Sequence, residues 1–276
     1  MKGIVFGAGF LGARIAKKFN YTLSNIDVLD KSLLEQTLDQ TNPEIVVNAV
    51  GKTGRPNIDW CETHKEETFM SNVIAAANIG IVCSKRKIYS VHFGSGGIYT
   101  EKNKEKGFDE EDEPNFYLQT YARTKIISEK ILKEFPCLQL RIHMPLDDRP
   151  HEKNLIDKLK SYKKIADVKN SITIVPNMLD ALENLIEKRK IGIYNTTNPD
   201  LISLVEIMER YKEIVDPAHK FEVISNKELD KMLLNKKADG ILDTSKLAKE
   251  GIIMPDIKDA VKLCLIDYKK NLDKSQ

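Results

Sequence analysis

Tyr121-Ala-Arg-Thr-Lys125 and Ser95 are the residues whose types and spacing can do chemistry. On a helix, residues four apart share a face, so the Tyr121 phenol and the Lys125 ammonium can both point at one bound molecule. A nearby cation stabilises phenolate relative to phenol, which lowers the barrier for the tyrosine to give or take a proton. Both residue types are also common on solvated helix faces, where a chance pair does nothing. The order of the surroundings favours chemistry: a glycine-rich turn opens the chain, an apolar strand ends in Asn48-Ala-Val-Gly51, and Ser95 follows another apolar strand.

These groups need a scaffold that brings them to one pocket. Lys2–Phe6 reads as a short strand, Gly7-Ala-Gly9-Phe-Leu-Gly12 as a turn, and Ala13–Phe19 as a helix. Strand, glycine turn and helix in that order form the phosphate-binding corner of a dinucleotide fold, in which Gly7 allows the tight turn, Gly9 the approach of the pyrophosphate and Gly12 helix–strand packing. The acidic residue that reads the adenosine ribose is expected about 20 residues later. Asp27 and Asp30 lie near that distance, either as that residue or as part of a loop under the adenine, because the second strand looks abbreviated. Lys31–Gln40 reads as a helix and Glu44–Val50 as a strand buried on both faces. The polar loop from Gly51 to Glu62 then belongs at the carboxyl edge of the sheet, where ligands lie. Its Trp60 either lines the pocket or anchors the helix of about Lys65 to Arg86, which carries Asn72. Lys87–Phe93 is the next strand, and the turn Gly94–Tyr99 presents the Ser95 hydroxyl, suited to hydrogen-bond a substrate carbonyl while Tyr121 protonates its oxygen. Glu101–Pro114 reads as a solvated connection, Leu138–Pro145 as a strand and Gly192–Asn198 as a late strand.

Composition narrows the classes. The chain has 276 residues, 41% hydrophobic and 30% charged, with 43 basic and 41 acidic residues giving a net charge of +2. A balance this even supplies no long-range field for nucleic acid or an anionic membrane. No apolar run reaches membrane-spanning length and no leader precedes the first strand. Cys61, Cys83, Cys137 and Cys264 show neither metal-ligand spacing nor a disulfide framework, so no metal is expected and the compartment is read as cytoplasmic.

On these residues the chain resembles extended short-chain dehydrogenases/reductases of the dTDP-4-dehydrorhamnose reductase type. Within them it is most similar to UDP-4-keto-6-deoxyglucose 3,5-epimerase/4-reductases of UDP-L-rhamnose synthesis. The specific segments are Thr53-Gly-Arg-Pro-Asn-Ile-Asp-Trp-Cys-Glu62, Gly107-Phe-Asp-Glu-Glu-Asp-Glu-Pro-Asn-Phe116, Tyr121-x-x-x-Lys125, Asn170-Ser-Ile-Thr-Ile174, Gly192-Ile-Tyr-Asn-Thr-Thr-Asn-Pro199 and Leu242-Asp-Thr-Ser-Lys-Leu247. The resemblance implies an α/β fold, a Rossmann-like doubly wound parallel sheet with a small C-terminal substrate-binding subdomain. Residues 1–145, completed by about 171–200, would form the NAD(P)-binding core, and 146–170 with 201–276 most of the subdomain. It further implies reduction at sugar carbon 4 by Ser95, Tyr121 and Lys125. NADPH, with NADH as the alternative, would be held by Gly7, Gly9, Phe10, Leu11, Gly12, Asp27, Ala49, Gly51, Tyr121 and Lys125. A nucleotide-linked sugar, UDP-linked by the same analogy, would meet Thr53, Arg55, Asn57, Gly96, Gly97, Met144, Lys158 and Asn170. By the same resemblance a homodimer packed through the Tyr-Lys helix is expected.

Lys158 stands where the family has its epimerisation lysine, although its residue type alone reads as a surface lysine. Swapping the protons beside a ketone needs a base on one face and an acid on the other. Where the bifunctional enzymes have Thr-Gly-Cys, this chain has Ser95-Gly96-Gly97, and glycine carries no proton. Epimerisation would therefore need His143, Cys61 or a bound water in that role, and a lone His in an apolar strand also reads as structural. The family's Arg-Ser-Asn-Asn is Lys237-Ala-Asp-Gly240 here, and its glycine turn has one residue more. The expectation is a 4-reductase, with the full 3,5-epimerase/4-reductase as the alternative and a non-catalytic binding protein, like the regulatory subunit of methionine adenosyltransferase, as the rival class.

Overall fold

The computed structural model describes residues 1–54, 57–100, 107–225, 227–229 and 238–274. In chain order the elements are β1 (Gly3–Phe6), α1 (Phe10–Phe19), β2 (Thr22–Ser24), α2 (Lys31–Thr41), β3 (Ile45–Asn48), α3 (Trp60–Thr63), α4 (Lys65–Phe69), a π turn at Met70–Ile74, α5 (Ala75–Arg86), β4 (Tyr89–Ser95), α6 (Thr120–Leu132) and β5 (Cys137–Ile142). There follow α7 (Leu155–Ser161), β6 (Lys164–Ala166), β7 (Lys169–Asn170), α8 (Val175–Glu187), β8 (Gly192–Asn195), β9 (Ile202–Ser203), α9 (Leu204–Ile214), β10 (Glu222–Ile224), α10 (Ser245–Lys249) and α11 (Ile257–Asp273).

Two compact units result. The first comprises Met1–Thr100, Glu113–Arg141 and Ile186–Tyr194, and the second the described residues of Glu101–Asp112, Ile142–Leu185 and Asn195–Gln276. The first is built on a six-stranded sheet of order β2-β1-β3-β4-β5-β8, with β1 parallel to β2 and β3, and β3 parallel to β4. This is a Rossmann-like doubly wound sheet, and the order reverses between β1 and β3. Ligands of such sheets bind outside the carboxyl ends of the strands at that reversal. Ile4, Phe6, Leu34, Leu38, Val46 and Ile79 form the core under this part of the sheet. The local sequence starts and stops the helices: Asn20 and Asn42 take left-handed conformations after α1 and α2, a cap that relieves the last carbonyls. Asp30 caps α2, accepting from the Leu33 N–H at 3.0 Å.

In the second unit, Leu146, Ile156, Ile165, Ile174, Ile207 and Tyr268 belong to one apolar cluster. β6 pairs with β10 and β7 with β9. Among the described residues no helix is long and apolar enough to cross a membrane. All four cysteines are buried free thiols.

Two expectations are revised. The helix expected from Lys65 to Arg86 is interrupted by the π turn that contains Asn72. The acidic connection is not merely solvated: residues 101–106 lie outside the described residues, but Phe108 and Glu110 are buried. Glu110 accepts the Asn195 N–H at 2.8 Å, and Phe108 forms a bridge with Leu242. The acidic residue types concealed this, because a carboxylate next to a suitable donor can be buried at acceptable cost.

Candidate active site

The carboxyl ends of β1 and β3 are joined by contacts that only glycine permits. At Gly7, with φ of +96°, an added Cβ would lie 2.7 Å from both the Ala49 carbonyl carbon and the Val50 nitrogen. At Gly12 it would lie 1.8 Å from the Gly7 oxygen. Gly9 differs: no protein atom comes within 4 Å of where its Cβ would be. Gly9 is the N-cap of α1, without a side-chain cap and without an acidic residue in the first turn. The N–H groups at the start of a helix point outward along its axis, and the helix dipole favours an anion there. The geometry fits a dinucleotide pyrophosphate at Gly9.

β2 ends at Ser24, whose carbonyl accepts the Gly7 N–H at 3.2 Å. Asp27 lies beyond it in the loop, exposed, and accepts the Leu29 N–H at 3.0 Å. Asp27–Asp30 thus lie in the loop that follows β2, which ends at Ser24.

Beyond β3, Asn48 accepts the Val50 N–H at 3.0 Å through Oδ1, so its Nδ2 is the donor toward His92 Nδ1, also at 3.0 Å. Burial holds His92 well below the ordinary imidazole range, and its proton sits on Nε2. Next comes Gly51, where a Cβ would be 3.3 Å from Asn72 Oδ1 and 3.7 Å from Lys125 Nζ. Asn72 closes on the Lys52 peptide from both sides, accepting its N–H at 2.7 Å and donating to its carbonyl at 3.1 Å. The same amide donates to Thr124 Oγ1 at 3.0 Å. The π turn aims this side chain, a frequent function of such irregularities. Sequence reasoning placed Asn72 on a helix without a task; the signal was a buried amide among apolar helix residues.

α6 carries the Tyr-Lys pair. Glu62 caps its start, accepting the Thr120 N–H at 2.6 Å and the Thr120 hydroxyl at 2.9 Å. Tyr121 is half-buried, and against the rise that burial causes, the Ser95 hydroxyl beside it pulls its phenol pKa down. Ser95 Oγ also accepts the Gly97 N–H at 3.1 Å, which leaves its own proton to donate toward Tyr121. Lys125 is buried and donates to the Phe93 carbonyl at 2.8 Å. Burial brings its ammonium down to about 8. The phenol was expected to be acidified by Lys125. Instead burial raises the Tyr121 pKa, opposed in part by the Ser95 hydrogen bond, because the lysine is turned to a carbonyl rather than to the phenol.

Ser95, Gly96, Gly97, Tyr121, Lys125, Gly51 and Ala49 therefore lie in the unit that contains the glycine turn. Thr53 is half-buried, and Asn57 is exposed, accepting the Asp59 N–H at 2.8 Å; Arg55 lies outside the described residues. Trp60 stacks on His64 with ring centres 3.9 Å apart and packs on Gly54, where a Cβ would be 2.7 Å from its own Cβ. Cys61 is buried, its thiol raised mainly by that burial.

Met144, Lys158 and Asn170 belong to the second unit and are each half-buried. Met144 has a φ of +45°, Lys158 lies within α7, and Asn170 donates to the Val168 carbonyl at 2.8 Å. His143 is held down to about 4 by burial, so the imidazole is neutral, and its Nδ1 has no hydrogen-bond partner among the described residues.

Comparison with known proteins agrees with this geometry. Residues 7–136 match the NAD dependent epimerase/dehydratase family. A bifunctional dTDP-4-dehydrorhamnose 3,5-epimerase/dTDP-4-dehydrorhamnose reductase of Arabidopsis thaliana is 31% identical over 271 residues, covering 94% of this chain and 90% of that protein. A trifunctional UDP-glucose 4,6-dehydratase/UDP-4-keto-6-deoxy-D-glucose 3,5-epimerase/UDP-4-keto-L-rhamnose-reductase of the same plant is 32% identical over 274 residues, but the chain spans only 41% of its length. Among solved structures, the L780 UDP-rhamnose synthase of Acanthamoeba polyphaga mimivirus superposes with a TM-score of 0.91 at 27% identity, covering 97% of this chain and 99% of that one.

Proposed function

The chain belongs to the NAD-dependent epimerase/dehydratase family, and from that premise we propose that it is an NAD(P)H-dependent 4-reductase of a nucleotide-linked, UDP-linked 4-keto-6-deoxyhexose. The observation that carries this is the pairing of Ser95 with Tyr121 on the helix of Lys125, in the same unit as the glycine cradle. The nicotinamide supplies hydride to carbon 4. The chain does the rest. Backbone N–H groups from Gly9 to Gly12 hold the pyrophosphate, Gly7 and Gly12 fix the turn, and Gly51 leaves room beside Lys125 and Asn72. Ser95 orients the ketone oxygen, and Tyr121 protonates it as negative charge develops, general-acid help worth about 10²–10⁴-fold. NADPH is favoured because β2 ends at Ser24 and Asn25 follows it, so that no carboxylate stands at the strand end to repel a 2′-phosphate.

Rhamnose-type substrates follow from the names of the relatives. Epimerisation of the sugar is disfavoured: residue 97 has no side chain, Cys61 is buried with a raised pKa, and His143 is neutral and half-buried. Lys158 alone would leave one face of the sugar without an acid. A homodimer is supported by Phe69, Met70, Tyr117, Leu118 and Ile127, large apolar residues exposed on or beside α4, the π turn and α6, elements that pack together. Four free buried thiols support a reducing, cytoplasmic setting.

The test is reaction of enzymatically generated UDP-4-keto-6-deoxyglucose with NADPH in deuterated water, followed by NMR of the product, for wild type and Tyr121→Phe. Oxidation of the cofactor without deuterium at carbons 3 and 5, abolished in Tyr121→Phe, is the expected result. An unchanged rate in Tyr121→Phe would refute the assignment, and deuterium at both carbons would establish the epimerase/reductase instead.

A further inference from the structure

Arg141 and Glu129 form an ion pair in which both side chains are buried, 0% and 2% exposed. The contact is two-pronged: Nε to Oε2 at 2.7 Å and Nη2 to Oε1 at 2.7 Å. The other ion pairs of this unit are largely solvated, as at Lys52–Glu67 and Lys130–Glu113. A buried pair of this kind adds little stability over well-packed apolar residues of the same volume, and its best-attested use is to fix a register.

What it touches indicates which register. Glu129 lies on α6 at eight residues from Tyr121 and four from Lys125, so the three share one helix face. The Gly94 Cβ position is 3.7 Å from Arg141 Cγ and 3.8 Å from Glu129 Oε2, and Gly94 directly precedes Ser95. The Arg141 guanidinium lies over the Tyr99 ring at 5.3 Å. One charge pair on β5 and α6 thus contacts both ends of the Gly94–Tyr99 turn and the helix of the general acid.

We propose that Arg141 and Glu129 are positioning residues that set the distance between the Ser95 hydroxyl and the Tyr121 phenol. This rests on the reductase reading above. Tyr121 is about 12 Å along the axis from Glu129, so a tilt of about 5° at the pair moves the phenol about 1 Å, and a misplacement of that size costs about 100-fold in rate.

The test compares wild type, the apolar double variant Glu129→Leu/Arg141→Met and the near-isosteric Glu129→Gln. The measurements are melting temperature, NADPH affinity, kcat and KM for the keto sugar, and the ¹⁹F resonance of 3-fluorotyrosine at position 121, assigned by its loss in Tyr121→Phe. Expected for the double variant are a melting temperature no lower than wild type by more than about 4 °C, NADPH affinity within threefold, KM within threefold, kcat reduced about 30- to 100-fold and a shifted resonance. A folded double variant with kcat within threefold of wild type and an unmoved resonance would overturn the proposal. Should the double variant fail to fold, Glu129→Gln decides: it keeps the shape but not the charge, and wild-type kcat with an unmoved resonance would overturn the inference. Should wild type reduce no keto sugar, the reductase reading falls, and the resonance alone then tests the positioning, a shift supporting it and its absence overturning it.

Discussion

Gly9→Ala separates the cofactor cradle from the architecture around it. Gly9 has φ −79° and ψ −165°, a conformation open to any residue, and its Cβ would meet no protein atom within 4 Å. Alanine at an N-cap costs several tenths of a kcal/mol or more relative to glycine. The stiffer unfolded chain returns about 0.4–1 kcal/mol, so the net change is near zero and the melting temperature should move by less than about 2 °C. The methyl group would nevertheless occupy the place assigned to the pyrophosphate. Losing one charge-assisted hydrogen bond costs about 1.5–3 kcal/mol, which raises the NADPH dissociation constant about 10- to 150-fold. Gly12→Ala is the contrast. Its Cβ, 1.8 Å from the Gly7 oxygen, forces a backbone shift of more than 1 Å and costs about 1–3 kcal/mol or more, lowering the melting temperature before any ligand is added. Calorimetric titration with NADPH and thermal denaturation of both variants measure this. Gly9→Ala with an NADPH affinity within twofold of wild type, or as thermally destabilised as Gly12→Ala, would refute the cradle.

Three further outcomes follow from the same structure. Lys125, held down to about 8 by burial, binds fewer protons folded than unfolded between pH 8 and about 10.4, so stability rises over that window. Lys125→Met should therefore be more stable than wild type by on the order of 2 kcal/mol at pH 7, with the advantage gone by about pH 10.5; denaturant titrations showing an equal effect at both pH values contradict this. His143 is depressed to about 4, so its folded-state neutrality favours the fold above about pH 6.5 and is lost as pH falls toward 4. His143→Gln should lose on the order of 2 kcal/mol less than wild type between pH 7 and pH 4.5, read from urea midpoints, and parallel losses would sink the argument. At Gly97 an added Cβ would meet only Ser95 Oγ, at 3.4 Å, so Gly97→Cys should fold normally and add deuterium at carbons 3 and 5 of the reduced sugar. A variant that still reduces without exchange would show that residue 97 is not what withholds epimerisation.

The sequence by itself determined the corner that opens the sheet. Strand, Gly7-x-Gly9-x-x-Gly12 and helix are adjacent in the chain, and the positive φ at Gly7 and the close approach of Gly12 to the Gly7 oxygen are both set within that short segment. The apolar strand that leads to Ser95 and the four-residue spacing of Tyr121 and Lys125 are equally local, and both were legible, although β4 runs on to Ser95 where the sequence placed a turn. Only the tertiary structure decided how those groups behave. Burial raises the Tyr121 pKa and lowers that of Lys125, and desolvation depends on everything packed around a group rather than on its neighbours in the chain. Partnerships were hidden for a related reason. Asn48 with His92 spans 44 residues, Asn72 with Thr124 spans 52, and Glu62 with Thr120 spans 58. Read as residue types, Glu129 and Arg141 belong on a solvated face; they lie inside because each satisfies the other's charge at 2.7 Å, a condition that exists only once β5 and α6 have packed.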